Sequence, residues 1–257
     1  MSFFIYRNKE IFYDEIGEGK PILLLHGNTA SSNMFLDAIK LYSPEYKVIL
    51  LDFLGHGKSQ RVKKFDDDLW FDEAEQVIAF LKHRKYEKVN LIGSSGGALV
   101  AINVALESPN LVDKIVADSF EGEFPLKDFI QNIIEERELS KQNENTKMFY
   151  SLMHGEDWEN VVDNDTNSIN EHSLTIGKFF HKPLESLQPD ILMTGSKKDE
   201  FISSLDADYF QKKYGEMIKK IGHGKMHLFE SGGHPAMLSN QYEFAKLSKD
   251  FFEENLK

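Results

Sequence analysis

A strand with one wet face alternates polar and apolar residues, but Ile22-Leu23-Leu24-Leu25 and Val48-Ile49-Leu50-Leu51 do not alternate at all. Continuous apolar runs of this length fit strands buried on both faces, as in a parallel sheet covered by helices. Val89 to Ile92 is a mostly apolar run that also reads as a strand, Ile115 to Ala117 and Ile191 to Met193 are further strands, and Met226-His227-Leu228-Phe229 reads as the last one. Between the runs lie helical spacings: Met34, Phe35, Ala38, Ile39; then Leu69, Ala74, Val77, Ile78, Leu81; then Leu99, Ile102, Leu106; later Tyr209 to Ile221 and a helix through Phe251. Phe3 to Tyr6 and Ile11 to Glu15 open the chain as a hairpin joined through Asn8-Lys9. Strands alternating with helices predict an α/β fold with a mostly parallel, doubly wound sheet. At 257 residues, 41% of them hydrophobic, the chain can build one such domain over 1–257.

The pattern changes between Phe120 and Pro183. Charged residues dominate there, and no segment reads as a buried strand. Phe129, Ile130, Ile133 and Ile134 predict one amphipathic helix, and Met148, Phe149, Leu152 and Met153 another. Asn143 to Thr146 and Asp163 to Asn170 read as polar, turn-forming breaks. The expectation is a helical cap over 120–183, inserted within the one domain. Its Phe and Met residues either pack or line an apolar acyl pocket.

Ligands of doubly wound sheets bind beyond the carboxyl ends of the strands. The chemistry-bearing residues of this chain all fall there: His26-Gly27-Asn28, Asp52, Ser95, Asp118, Asp199 and His234 each follow a strand. Gly93-Ser94-Ser95-Gly96-Gly97 matches G-x-S-x-G on a strand-to-helix turn, the context in which that motif carries a nucleophile. Taken alone, it is also a plain Gly/Ser turn. A serine hydroxyl needs a neighbouring base, an imidazole suits that role near neutral pH, and a carboxylate fixes the imidazole tautomer. A tetrahedral oxyanion needs donors. The Gly96 backbone N–H, at a helix start, offers one, and Asn28 in the loop after His26-Gly27 offers another. Ser94 lies outside the elbow spacing. His26, Asp52 and His56 are expected to shape loops, and Asp66-Asp67-Asp68 to cap the next helix. Asp118 rivals Asp199 as the acid, because it too ends a strand beside that of Ser95.

Tyr13 to Leu25 with Gly17, Gly19 and Pro21, His26-Gly27, Asp52-x-x-Gly55-His56-Gly57-x-Ser59, Gly93-x-Ser95-x-Gly97, Gly195 to Asp199 and Gly233-His234 occur in one fixed order. In that series the sequence resembles the α/β-hydrolase fold family, in its capped esterase and haloperoxidase-like branch. The resemblance implies a triad of Ser95, Asp199 and His234, oxyanion donors Asn28 and Gly96, no cofactor, and a substrate-selecting cap. The family usually places the acid three residues after the strand-ending glycine, whereas Asp199 stands four after Gly195. The implied activity is hydrolysis of a small or medium carboxylic ester. Hydrolysis of carbon-carbon bonds in ring-fission products uses the same triad, as do thioester, amide and perhydrolysis chemistries. A signalling protein that holds a small ligand in a hydrolase pocket also fits. Haloalkane dehalogenation is disfavoured, since it needs a carboxylate at the elbow.

A formal charge of -12 argues against a nucleic-acid partner. The absence of cysteine excludes disulfides and thiolate chemistry. His223 and His227 lack an accompanying Glu, so no metal site is expected. Polarity sets in six residues from the N-terminus, and no stretch approaches the ~20 apolar residues of a membrane span. The expectation is a cytoplasmic protein with a small-molecule partner, compatible with a homo-oligomer.

Overall fold

In the computed structural model the unalternating runs fill the middle of an eight-stranded sheet, while Met226 to Phe229 falls in its edge strand, where exposed and partly buried positions alternate. The structure describes residues 2–201, 206 and 208–254; the side chains of 127–129 and 131, Phe129 among them, lie outside that description. The strands are β1 (Ser2–Tyr6), β2 (Lys9–Ile16), β3 (Lys20–Leu25), β4 (Tyr46–Leu51), β5 (Val89–Ser94), β6 (Val112–Asp118), β7 (Asp190–Ser196) and β8 (Lys225–Phe229). Their spatial order is β1-β2-β4-β3-β5-β6-β7-β8, antiparallel at β1/β2 and β2/β4 and parallel from β4 onward. The chain order reverses around β3, which pairs with both β4 and β5, so the carboxyl ends of β3 and β5 flank the switch-point crevice.

Successive strand residues feed two different cores, which is why the runs do not alternate. Leu23, Leu25, Ile49, Leu51, Leu91 and Ile115 pack under α2 (Leu69–His83), α3 (Gly96–Glu107) and α7 (Tyr209–Ile221). Ile22, Leu24, Val48, Leu50, Ile92 and Val116 pack under α1 (Leu36–Tyr42) and α9 (Gln241–Glu253). Each fully buried Leu or Ile contributes roughly 1.5–3 kcal/mol relative to exposure. The N-terminal hairpin turns through Arg7-Asn8, one residue earlier than expected. Both residues have positive φ (45° and 63°), the backbone hand that matches the twist of a two-residue hairpin.

Between β6 and β7 the regular elements among the described residues are helical, chiefly α4 (Lys127–Ser140), α5 (Glu144–His154) and α6 (Trp158–Thr175). Asn143 is a genuine break, its side chain accepting from the backbone N–H groups of Asn145 and Thr146 as the N-cap of α5. Asp163 to Asn170 is not a break, because it is the middle of α6. The buried positions Trp158, Val161, Val162, Asp165, Thr166, Ile169 and His172 follow the helical period, but several are polar and find partners inside the protein. Asp68 occupies the N-cap of α2 without capping through its side chain, and its carboxylate faces His172 and His181 instead.

α5 and its connection to α6 are pinned to the loops after β3 and β4. Ser31 donates to the Met153 carbonyl (2.9 Å) and Asn33 to that of Leu152 (2.8 Å). Arg61 forks onto the Asp157 carboxylate at 2.8 and 2.9 Å and also reaches the His154 carbonyl. His154 accepts from Gly57 N–H at Nδ1 (3.1 Å) and donates from Nε2 to the Thr29 carbonyl (3.0 Å), which fixes it as a neutral imidazole. Beneath it, His26 donates to the Gly27 carbonyl (2.9 Å) and accepts from Phe53 N–H (3.1 Å), shaping the loops as expected. Asp52 does the same by accepting from Ser32 and Lys58 N–H.

Burial and neighbouring His56 push both His26 and His154 down from 6.5 to about 3. The unfolded chain therefore takes up protons below pH 6.5 that the folded chain refuses until about pH 3. Stability is full above pH 6.5 and falls as pH drops, by on the order of 1 kcal/mol per pH unit for each histidine. His154→Gln keeps one donor and one acceptor without the titration. Its melting temperature should fall less than that of the wild type between pH 6.5 and 4.5. Equal acid slopes for the two proteins would remove His154 from this account.

Candidate active site

The turn between β5 and α3 holds Ser95 at φ 55°, ψ −124°, a conformation sparsely populated by non-glycine residues. Ser95 N–H donates to the Asp118 carbonyl (2.8 Å), and its own carbonyl accepts from Ala98 N–H (2.9 Å). The two elbow glycines are there for close approach. A Cβ on Gly93 would sit 2.1 Å from the Gly97 carbonyl oxygen, and one on Gly97 would sit 2.2 Å from that of Leu25. Ser94 is buried, with its hydroxyl on the Asp118 carboxylate, whereas Ser95 is partly accessible.

His234 Nε2 lies 3.0 Å from Ser95 Oγ, and His234 Nδ1 lies 2.8 Å from Asp199 Oδ2. The carboxylate can only accept, so Nδ1 carries the proton and Nε2 is left to accept from the serine hydroxyl. The Asp199 side chain is 0% exposed and that of His234 is 16% exposed, so the acid is sealed while the imidazole stays reachable. Asp199 also accepts from Phe201 N–H (3.1 Å), and the Phe201 ring stands edge-on to the imidazole. β7 runs one residue past Gly195, so Asp199 falls three after the strand's last residue, Ser196, to which it turns by an N–H to carbonyl bond. The extra residue is absorbed in the strand.

Asp118 does not meet His234 through a hydrogen bond. Its oxygens accept from Thr194 Oγ1 (2.8 Å), Ser119 Oγ (3.2 Å), Met237 N–H (2.9 Å) and Ser94 Oγ (3.4 Å). Burial pushes its carboxyl up to about 6 against those bonds. Its anchoring of Met237, at the start of α8 (Ala236–Ser239), steadies the segment just after His234. Glu200, which no spacing singles out, accepts from the backbone N–H of His234 (3.0 Å).

Opposite the elbow, Gly27 and Asn28 approach the start of α3. A Cβ on Gly27 would lie 3.0 Å from Ser95 Cβ, and one on Gly96 would lie 2.2 Å from Asn28 Oδ1. Gly96 is the first residue of α3, so its N–H has no carbonyl within the helix. The Asn28 side chain is occupied at both ends: Oδ1 accepts from Trp70 Nε1 (3.2 Å) and Nδ2 donates to Asp165 (3.0 Å). Asp165 comes from α6 and is fully buried. Burial alone would raise its carboxyl, but Arg137 and His56 hold it well below the usual carboxylate range. Among the described residues, no group of three His, Asp or Glu side chains could hold a metal, and no helix is long and apolar enough to cross a membrane. A cavity of about 460 Å³ bordered by Lys20, Lys114 and Asp190 lies at the amino-terminal ends of the strands, away from Ser95.

A family model of the alpha/beta hydrolase fold matches residues 20–139. Serine hydrolase BPHL of Homo sapiens is 26% identical over 252 residues, spanning 95% of this chain and 83% of the relative. The 2-hydroxy-6-oxo-6-phenylhexa-2,4-dienoate hydrolase of Comamonas testosteroni is 23% identical over 270 residues, covering 95% and 91%. An esterase structure from Exiguobacterium antarcticum superposes with a TM-score of 0.74 at 20% identity, covering 96% of each chain. By its sheet order and these similarities, the chain has the α/β-hydrolase fold.

Proposed function

We propose that the protein is a serine hydrolase that cleaves small or medium carboxylic esters through an acyl-enzyme on Ser95. The observation that carries this reading is the unbroken series Ser95 Oγ, His234 Nε2, His234 Nδ1, Asp199 Oδ2, at 3.0 and 2.8 Å. Ser95 attacks the carbonyl carbon as its proton passes to His234 Nε2, and Asp199 stabilises the imidazolium. The oxyanion is received by the backbone N–H groups of Gly96 and Asn28, the former favoured by the α3 dipole. His234 then gives its proton to the leaving alcohol. Water, activated by the same imidazole, releases the acid and restores Ser95. The segment 120–183 acts as a cap that selects the acyl group.

A second reading, hydrolysis of a carbon-carbon bond in a ring-fission product, draws support from the Comamonas testosteroni relative that covers 95% of this chain. An ester panel of graded acyl length that includes a ring-fission diketone separates the two by relative kcat/KM. Single-turnover behaviour on every substrate would point to a ligand-holding protein instead.

A fluorophosphonate probe should label Ser95, and Ser95→Ala should abolish labelling and lower aryl-ester turnover by about 10³- to 10⁶-fold. Ser94→Ala should stay largely active. Labelling that persists in Ser95→Ala would place the nucleophile elsewhere.

The two buried aspartates should separate by what they lose. Asp199→Asn should drop kcat by about 10⁴-fold with the fold intact, because the imidazole tautomer is no longer fixed. Asp118→Asn puts an NH₂ group among donors and should lower stability by about 1–3 kcal/mol, with kcat changed only a few-fold. The reverse pattern would transfer the acid role to Asp118.

A further inference from the structure

We propose that Asp165, carried by the helical insert, is a positioning residue for the oxyanion site: it holds the loop whose Asn28 backbone N–H receives the oxyanion. The inference rests on the serine-hydrolase reading above. Asp165 Oδ2 accepts from both Asn28 Nδ2 (3.0 Å) and Thr29 N–H (3.1 Å), two consecutive residues of the loop after β3. Its other oxygen takes Arg137 Nη1 (2.6 Å), and His56 Nε2 lies 3.4 Å from Oδ2. With Trp70 on Asn28 Oδ1, the Asn28 amide is engaged at both ends, which leaves the backbone N–H of that residue as its donor toward substrate.

The grip acts where the loop is strained. Thr29 has φ 55°, a left-handed value disfavoured for a β-branched residue, and such a conformation persists only when its surroundings over-determine it. Asp165 holds the Thr29 N–H, and His154 of α5 holds the Thr29 carbonyl (3.0 Å). A shift of the loop moves Asn28 relative to the elbow, since the Asn28 side chain already lies against Gly96. Displacement of a donor by even ~1 Å can lower a rate by about 10²-fold. Docking of α6 and a competent oxyanion site are therefore one arrangement. Substrate access then cannot use the seam between α6 and this loop without switching the chemistry off.

Plain docking is the competing account, and the Arg61–Asp157 pair tests it. That pair also ties the insert to the loop after β4, but it makes no hydrogen bond to Asn28 or Thr29. Kinetics on an aryl ester, affinity for an alkyl boronic acid as tetrahedral mimic, and melting temperature should be measured for wild type, Asp165→Asn and Asp157→Asn. Asp165→Asn sets an NH₂ group against donors. It should lower kcat by about 10²- to 10³-fold with KM nearly unchanged, and weaken the boronic acid in step. Asp157→Asn should lower the melting temperature and leave kcat as it was.

A folded Asp165→Asn with kcat within about threefold of wild type overturns the proposal, as does an equal loss of kcat in Asp157→Asn. Should Asp165→Asn fail to fold, the double variant Asp165→Ala, Arg137→Met leaves no unpaired buried charge and should show the same kcat loss. A double variant that keeps wild-type kcat, or that also fails to fold, overturns it too. Fluorophosphonate labelling of wild-type Ser95 keeps the two readings apart. With labelling intact, a normal Asp165→Asn removes only this inference; without labelling, the serine reading itself falls.

Discussion

The left-handed backbone of Ser95 is the constraint on which the rest of the site depends. A residue held at φ 55°, ψ −124° is destabilised by about 1–3 kcal/mol, and nothing local repays it, since Ser95 makes no side-chain cap to α3. The conformation persists because its neighbours leave no alternative. β5 is buried in the middle of the sheet, Gly97 is pressed against the Leu25 and His26 carbonyls, and the Ser95 N–H is taken by Asp118. The parallel sheet, buried on both faces, supplies the stability that lets one residue stay strained. The strain in turn aims the hydroxyl at His234.

Two buried aspartates end up with opposite tasks, and their partners explain why. Asp118 faces hydroxyls and a backbone N–H, so it joins strand ends and the start of α8 into one rigid corner. Asp199 faces an imidazole that remains partly accessible. Both follow parallel strands, and the strand sequences alone cannot say which points at His234. What decides is the turn beyond each strand. Ser119 takes a left-handed φ of 54° and carries the chain away, while Asp199 bonds back to Ser196 and is held against the histidine loop.

Most of the fold was legible because its elements obey period and run-length rules. The unalternating runs, the elbow glycines and the placement of chemistry after strands required only sequence. Asp199 was the harder case. Its offset from Gly195 is a departure only if β7 ends at the glycine, and Ser196 extends the strand by one residue. The middle of α6 departs from the expected turn for a different reason. Polar residues in a row signal a turn when they face water, but Asp165, Thr166 and Ser168 are buried and bonded across the chain, to residues 137, 28, 29 and 66. The helical spacing of Trp158, Val161, Val162, Ile169 and His172 held the correct signal, beneath the polarity. Glu200 and Trp70 carried no signal, since their partners lie 34 and 42 residues away.

Buried charge is the feature of α6 that packing alone does not account for. Replacing a buried ion pair by apolar residues of similar volume is often neutral or stabilising. The Arg137–Asp165 pair is therefore weak support for stability as its purpose. An apolar residue at 165 could fill the space, but it could not accept from Asn28 and Thr29 at once. A carboxylate can, and Arg137 keeps that carboxylate ionised inside the protein. The arginine then acts through the aspartate, and the aspartate through the loop. On the proposed reading the order of dependence runs from the insert to the loop after β3 and on to the Ser95 turn, through two helices of the insert, α4 and α6.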